Sequence, residues 1–419
     1  MVRSTFVAVA ALAIGAHAFA PIATPAAARR QTCAYTSSCR GVGASRSRLL
    51  MSTVERPPAE AEAAPEAPGA DPVRVADIRD FSYSEQYDDL FSKPLVINKP
   101  VPKPSEQAQA NQPGAKKIFM SKVYGVLKRN RFFNRPYGPQ DITYAIFFAV
   151  THGLCLLAPA TFSWKMVGLA FVTYFVTGCM GITFSFHRQL SHRAFQTPKW
   201  LEYFMAYCAS LAIQGDPVTW VSDHRVHHLH TDTPLDLHSP YEGFWWSHMG
   251  WMFDEEAHDQ RSPTMSNASD LLKQPFYRHM QKFYFAHVAL KFALMYAIAG
   301  LPGVIWGGAV ATVFLWHVTF FVNSASHVWG NQPFRTGDQS RNIWWVGILA
   351  FGEGWHNNHH AFEFSARHGI LKGQFDITWY MIRGLQKLGL ATNVKLPSRA
   401  QLNKLTPEGT APQLAYQPA

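Results

Sequence analysis

Nine histidines and one asparagine fall into four groups with metal-ligand spacing: His187 and His192 in HRQLSH, His224, His227 and His228 in HRVHH, Asn323 and His327 in NSASH, and His356, His359 and His360 in HNNHH. Each group stands at or just beyond the end of an apolar segment. Residues three and four apart on a helix share a face, so each HxxHH can aim three imidazoles at one point. Neutral imidazole suits iron, zinc and copper, and ten nitrogen or amide ligands exceed what a single ion accepts, so two metals are the economical reading. His230 follows the second box closely and ranks behind it. His17, His152, His238, His248, His258, His279, His287, His317 and His368 read as ordinary core or surface residues.

The elements that must carry these groups read as membrane helices. No charged residue lies between Asp141 and Lys165, or from Met166 to Phe186, and each run is long enough to cross about 30 Å of hydrocarbon as a helix. Pro159 to Lys165 suits a tight turn between them. A second hairpin is expected from Phe283 to Trp306 and from Gly307 to Phe321, turning near Gly300-Leu301-Pro302-Gly303; Lys291 must then face inward or snorkel. Trp200 to Ile213 and Ile343 to Phe351 are too short to span and read as interfacial helices that set HRVHH and HNNHH at the membrane surface. Trp245, Trp246, Trp251, Trp344 and Trp345 fit an aromatic belt. Lys128, Arg129, Arg131 and Arg135 precede the first span, Arg188 and Arg193 follow the second, Arg278 and Lys282 precede the third, and Arg335 and Arg341 follow the fourth. That bias puts every histidine group on one face. The expected fold is an all-α integral membrane domain with four transmembrane helices, interfacial helices and a same-side cap holding a di-metal centre.

The net charge of +10 over 419 residues comes from scattered basic residues in the front end and in membrane-flanking loops, with no nucleic-acid-binding motif, so surface anchoring and orientation explain it. Cys33 and Cys39 precede the folded domain, while Cys155, Cys179 and Cys208 sit in apolar stretches without CxxC spacing; structural thiols are expected rather than a thiolate or disulfide scheme. Residues 1–18 pair Arg3 with a short apolar core and small residues, a signal-peptide pattern. Residues 19–54 lack Asp and Glu but carry Arg29, Arg30, Arg40, Arg46 and Arg48 among Ser, Thr and Ala, as transit peptides do. The junction Ala18-Phe19-Ala20-Pro21 resembles the bipartite plastid presequence of algae with secondary plastids. Residues 55–117 are rich in Pro, Ala and Glu and read as a flexible linker in which Phe81 to Ile97 packs locally, 118–405 as the membrane domain, and 406–419 as a flexible tail.

With HRQLSH, DHRVHHLHTDTPLDLHSP, FVNSASHVWG and GEGWHNNHHAF in this order and a hairpin between the second and third, the chain from about 120 to 400 resembles the membrane fatty acid desaturases that introduce a first double bond. QGDPVTWVSDHR, SRNIWW, FSARHG and LATNVKLP are similar to the chloroplast palmitoyl-galactolipid and acyl-lipid branch. The resemblance implies a di-iron centre on the nine box histidines, with Asn323 a ligand directly or through water. Every one of those positions is filled, as in an active enzyme. Removing hydrogen from an unactivated methylene needs an oxidant made from O2, which a redox metal can supply and zinc cannot. The expected reaction places a cis double bond, Δ9 or Δ7, in a saturated C16 or C18 acyl chain held on a lipid or on CoA. Two electrons must come from a separate donor, since no HPGG-type haem segment is present: ferredoxin in a plastid membrane, cytochrome b5 in the endoplasmic reticulum. Asp232, Asp236 and Glu353 lie beside the boxes, where they could take the second ring proton of ligand histidines. By similarity to the acyl-CoA enzymes, Gln214, Trp220 and Thr319 line the bend of an acyl tunnel. A hydroxylase on the same scaffold is the alternative enzyme. A metal transporter fits less well, because its ligands would lie near the bilayer midplane.

Overall fold

A computed structural model describes residues 137–418 apart from Pro234 and Pro263, so the signal, transit and linker segments, Cys33, Cys39 and the basic cluster before the first span lie outside the described residues. The described residues are helical, joined by loops with four isolated antiparallel bridges. Helix α1 spans Pro139–Cys155. Proline at its first position costs no hydrogen bond there, and Asp141 takes the Gly138 N–H at 3.0 Å and the Glu255 N–H at 2.8 Å. Helix α2, Trp164–Ser191, starts on the hydroxyl of Ser163 and is joined to α1 through a short 3-10 turn at Pro159–Thr161. Helices α3 (Lys199–Ser210) and α4 (Pro217–His230) follow. Asp216 caps α4 by accepting from Val218 N and Thr219 N at 2.9 and 3.1 Å. The short helix α5, Phe244–His248, and α6, Glu255–Arg261, cross toward the second half of the chain.

Helix α7 covers Tyr284–Gly303 and α8 covers Ala311–Asn323, with wider winding between them from Val304 to Val310. This stretch is a hairpin. Ala299 and Gly300 leave helical geometry, Gly300 at φ 62° and ψ −147°, a region open to glycine but not to L side chains. Doubling back sets Gly307 against Met295 and Gly308 against Phe292, so a Cβ on either glycine would fall within 3 Å of those side chains. Lys291 is buried in the hairpin and donates to the Thr312 hydroxyl, the inward-facing option for a lysine in an apolar helix.

Two stretches are long and apolar enough to cross a membrane by length and composition, Trp164–Ser191 and Tyr284–Val328. The 17 residues of α1 fall short of the roughly 20 that a bilayer asks for. Large apolar side chains nonetheless face outward along both hairpins: Ile142, Ile146 and Val150 on α1, Phe171 and Val172 on α2, Phe285, Leu290, Leu294 and Ile298 on α7. Such a belt is unfavourable in water and ordinary in lipid.

The two short apolar segments expected at the membrane surface form α3 and α9 (Trp344–Leu349), and α10 (His356–Ala361) bears the last box. Gly181 of α2 lets α3 approach closely: a Cβ there would lie 2.6 Å from the Ala209 backbone. The final helices are α11 (Ile377–Lys387) and α12 (Arg399–Leu405). The segment expected to be a flexible tail is held: Leu414 bridges Leu371, the Tyr416 hydroxyl donates to Pro397 O at 3.1 Å, and both side chains pack on a core of Phe334, Phe362, Ile370 and Leu402. Cys179 and Cys208 are buried free thiols and Cys155 is half-buried.

Candidate metal centre

The spacing His187-x4-His192 poses a geometric problem, since at 3.6 residues per turn side chains five apart point about 140° away from each other. The chain resolves it by widening. From Phe175 to Ser191 α2 winds with i→i−5 bonding, His192 N donating to His187 O at 3.2 Å, which brings residues five apart nearly onto one face. HRVHH lies in the last two turns of α4, and HNNHH is itself α10. His327 sits on a single turn after α8, its N–H bonded to Ser324 O at 3.2 Å.

These four supports bring the nine box histidines into two adjoining groups, His187, His192, His224, His228 and His359, and His227, His327, His356 and His360; within each, one ligand atom per ring lies within 4.8 Å of all the others. The convergent atom is Nε2. His187 and His359 place their Nε2 atoms 3.0 Å apart, His192 and His224 2.8 Å, His228 and His359 2.9 Å, His327 and His356 2.9 Å, and His356 and His360 3.1 Å.

Carboxylates hold the outer nitrogens of five of the nine rings. Nδ1 of His227 lies 2.9 Å from Asp236, that of His327 3.1 Å from Asp232, that of His360 2.9 Å from Asp338, that of His187 2.7 Å from Glu353 and that of His228 3.3 Å from Glu363. A proton on each of these Nδ1 atoms leaves the lone pair on Nε2. Lone pairs about 3 Å apart repel unless a cation lies between them, and donors bonded at about 2.1 Å to one metal at right angles stand about that far apart. The donor set therefore fits metal ions. Burial, reinforced by the neighbouring imidazoles, pushes His192, His224, His356, His359 and His360 well below the ordinary histidine range, so these rings are neutral and ligand-competent at pH 7. Burial opposes charge on Glu353 and Asp236, but His187, His368 and Arg188 around the first, and His227 and His238 around the second, hold both carboxylates ionised.

Four participants escaped sequence reasoning. His368 and His238 read as ordinary histidines. Yet His368 Nδ1 stands 2.9 Å from Glu353 Oε2, with its ring centroid 4.4 Å from that of His359, and the His238 ring lies 4.3 Å from that of His227. Asp338 and Glu363 come from segments that no helical spacing ties to the boxes; Glu363 is three residues past His360, the only local signal of the four. His230 is buried but belongs to neither group. Asn323 ends α8, and its backbone carbonyl accepts the Ser247 hydroxyl at 2.9 Å. Of the three residues expected along an acyl tunnel, Gln214 donates to the Thr319 hydroxyl at 3.0 Å, while Trp220 stacks on His224 with centroids 5.1 Å apart and also touches Phe186.

Residues 123–386 match the family model described as fatty acid desaturase. The chain is 50% identical over 300 residues to the chloroplastic palmitoyl-monogalactosyldiacylglycerol delta-7 desaturase of Arabidopsis thaliana, covering 71% of this chain and 81% of that one. It is 44% identical over 301 residues to delta-9 acyl-lipid desaturase 1 of the same plant, covering 72% and 98%, and 50% identical over 272 residues to an acyl-CoA C20 delta5-desaturase of Anemone leveillei, covering 65% and 87%.

Proposed function

The chain belongs to the fatty acid desaturase family of O2-dependent membrane oxidoreductases, and on that premise we propose that its nine box histidines hold two irons and that it inserts a first cis double bond, Δ7 or Δ9, into a saturated C16 or C18 acyl chain on a plastid glycerolipid. The observation that carries this reading is the convergence of nine histidine rings in two groups, with the outer nitrogens of five of them facing carboxylates. Within it, His187, His192, His224, His228 and His359 hold one iron, and His227, His327, His356 and His360 the other, with Asn323 completing the second directly or through water. The pair of irons supplies the oxidant made from O2 and two electrons that an unactivated methylene requires.

The protein's own groups orient and exclude. Asp232, Asp236, Asp338, Glu353 and Glu363 fix the tautomers of the rings they touch. Trp220, stacked on His224, and the Gln214–Thr319 pair shape the acyl path below the metals and decide which two carbons reach them. The chloroplastic delta-7 relative and the acyl-lipid relative support a glycerolipid carrier, and a plastid address favours ferredoxin as electron donor. The two helical hairpins cross the membrane as four spans, their outward apolar side chains meeting lipid and all four boxes lying on one side.

Expression in a host whose own desaturation is deleted, followed by lipid analysis resolved by class and double-bond position, tests the reading. A new cis Δ7 or Δ9 bond confined to one glycerolipid class is expected, with close to two irons per purified chain. His359→Ala should abolish the product while the protein stays in the membrane, because a ligand lost from a dinuclear site cripples oxygen activation. Full activity in that variant would overturn the metal assignment.

A further inference from the structure

Three histidines outside the boxes form a line rather than a cage. His152 of α1 places Nδ1 2.8 Å from Phe148 O and Nε2 3.1 Å from His317 Nε2; His317 Nδ1 lies 3.0 Å from His248 Nε2; and His248 Nδ1 lies 2.9 Å from the hydroxyl of Ser324, which stands 2.9 Å from Phe320 O. In the metal centre each ring turns one nitrogen to a shared point. His317 instead uses both nitrogens, each on a different partner, which no single ion can serve.

Counting protons shows what the line can carry. It has five contacts and ends on a backbone carbonyl at each side, so filling every contact takes five protons. One hydroxyl and three neutral imidazoles supply only four. A line built to be static could be satisfied throughout; this one always keeps one open contact, and a proton arriving at one end lets each ring pass one on. Its inner end is Ser324, next to Asn323 and one turn before His327, and the neighbouring Ser247 hydroxyl seats α5 on the Asn323 carbonyl.

We propose that His152, His317, His248 and Ser324 form a proton relay into the adjacent metal centre, the Ser324 hydroxyl turning from Phe320 O as it gives up its proton to the water that the reaction forms. The proposal rests on the desaturase reading, because that reaction consumes protons: CH2–CH2 + O2 + 2 e− + 2 H+ gives CH=CH + 2 H2O, the electrons coming from the external one-electron donor. The rings' neighbours are aromatic, Phe148 and Trp316 around His152, and Phe244, Trp245, Phe320 and Phe321 around His248. Among the described residues no carboxylate bonds to any of the three, in contrast to the box histidines, and Cys155, one turn from His152, gives its thiol to Thr151 O. Burial and the neighbouring His317 push His248 down to about 4, which makes the extra proton a transient passenger rather than a permanent charge.

The test uses iron-loaded full-length protein in lipid nanodiscs with 15N-labelled histidine, in the wild type and in His317→Leu. In the wild type the three rings should show Nδ1 and Nε2 signals averaged between tautomers, and His317→Leu should freeze His152 and His248 into single tautomers. The same variant should keep its iron and its double-bond position while turnover falls on the order of 100-fold, and free imidazole in the buffer should restore part of the rate. Fixed tautomers in the wild type, unchanged turnover in the variant, or a loss that imidazole does not relieve while the signals stay as they were, would each overturn the relay. If His317→Leu fails to insert, His248→Gln breaks the same line and is read in the same way. A wild type that makes no double bond defeats the desaturase reading instead, and the 15N signals still decide whether the line shares a proton.

Discussion

Glu353 carries more of the centre than any other carboxylate. Its Oε2 faces His187 at 2.7 Å and His368 at 2.9 Å, and its Oε1 accepts from Arg188 at 3.0 Å, all of them buried. Arg188 is wholly buried and also binds Asp376 and Ala366 O, so the first box, the last box and the start of α11 are joined through one guanidinium. Glu353→Gln preserves shape but leaves that cation short of a counter-charge, and breaking a buried pair from one side costs about 3–5 kcal/mol. Iron content and thermal stability should therefore both fall. Asp338→Asn touches one ring, that of His360, and should lower metal affinity on the order of 10- to 100-fold, measured by competition with a chelator. Trp220 and Thr319 belong to the acyl path in the proposed reading. Changing the volume of either should shift double-bond position or chain-length preference with iron retained, and modestly, since a methylene of depth is worth only about 1 to 3 kcal/mol. Unchanged products across several substitutions would make both residues simple packing.

At the scale of elements, α4 is fixed from two sides. Arg225 on α4 donates to Leu190 O and Ser191 O at the end of α2 and pairs with Asp270, tying the second box to the first. On the other side His258 of α6 lies 3.1 Å from Asp223, the residue before His224. Burial works against protonation of His258, but Asp223 and Asp259 raise it to about 9 from the ordinary 6.5. A raised folded-state value means that the pair contributes fully below about 6.5 and that its contribution is lost as pH rises through 9. Thermal stability should thus decline between about pH 6.5 and 9, and His258→Gln should remove that part of the decline. An identical pH profile in the variant would show that the contact adds nothing. The wide winding of α2 is the other element-level device, because it alone lets a five-residue spacing present two ligands together.

For the molecule as a whole, the proposed address lies in the first 54 residues. A fluorescent protein placed after residue 60 should enter the plastid, and Phe19→Ala should divert it to an earlier compartment, because AFAP joins an apolar signal to an acid-free, arginine-bearing stretch. Secretion of the unaltered fusion would refute a plastid location. In the domain behind this address most of the convergent histidines sit on short helices and turns, such as α4, α10 and the turn at His327, rather than on the long apolar ones.

The sequence by itself determined the chemistry: box spacing named all nine convergent histidines, and apolar runs located both hairpins and the short helices that precede HRVHH and HNNHH, because ligand geometry and bilayer thickness impose local periodicities. Carboxylates next to a box, Asp232, Asp236 and Glu353, were legible for the same reason. Only the tertiary structure decided how the rings divide into groups of five and four, that Asp338, Glu363, His238 and His368 join them, and that His152, His317 and His248 line up. Those contacts join residues far apart in the chain, such as His360 with Asp338, 22 positions apart, and His187 with His359, 172 apart, and no short-range pattern constrains partners that meet only when separate segments pack. The winding of α2 was hidden too, since an apolar run reads the same whether its turns hold 3.6 residues or more.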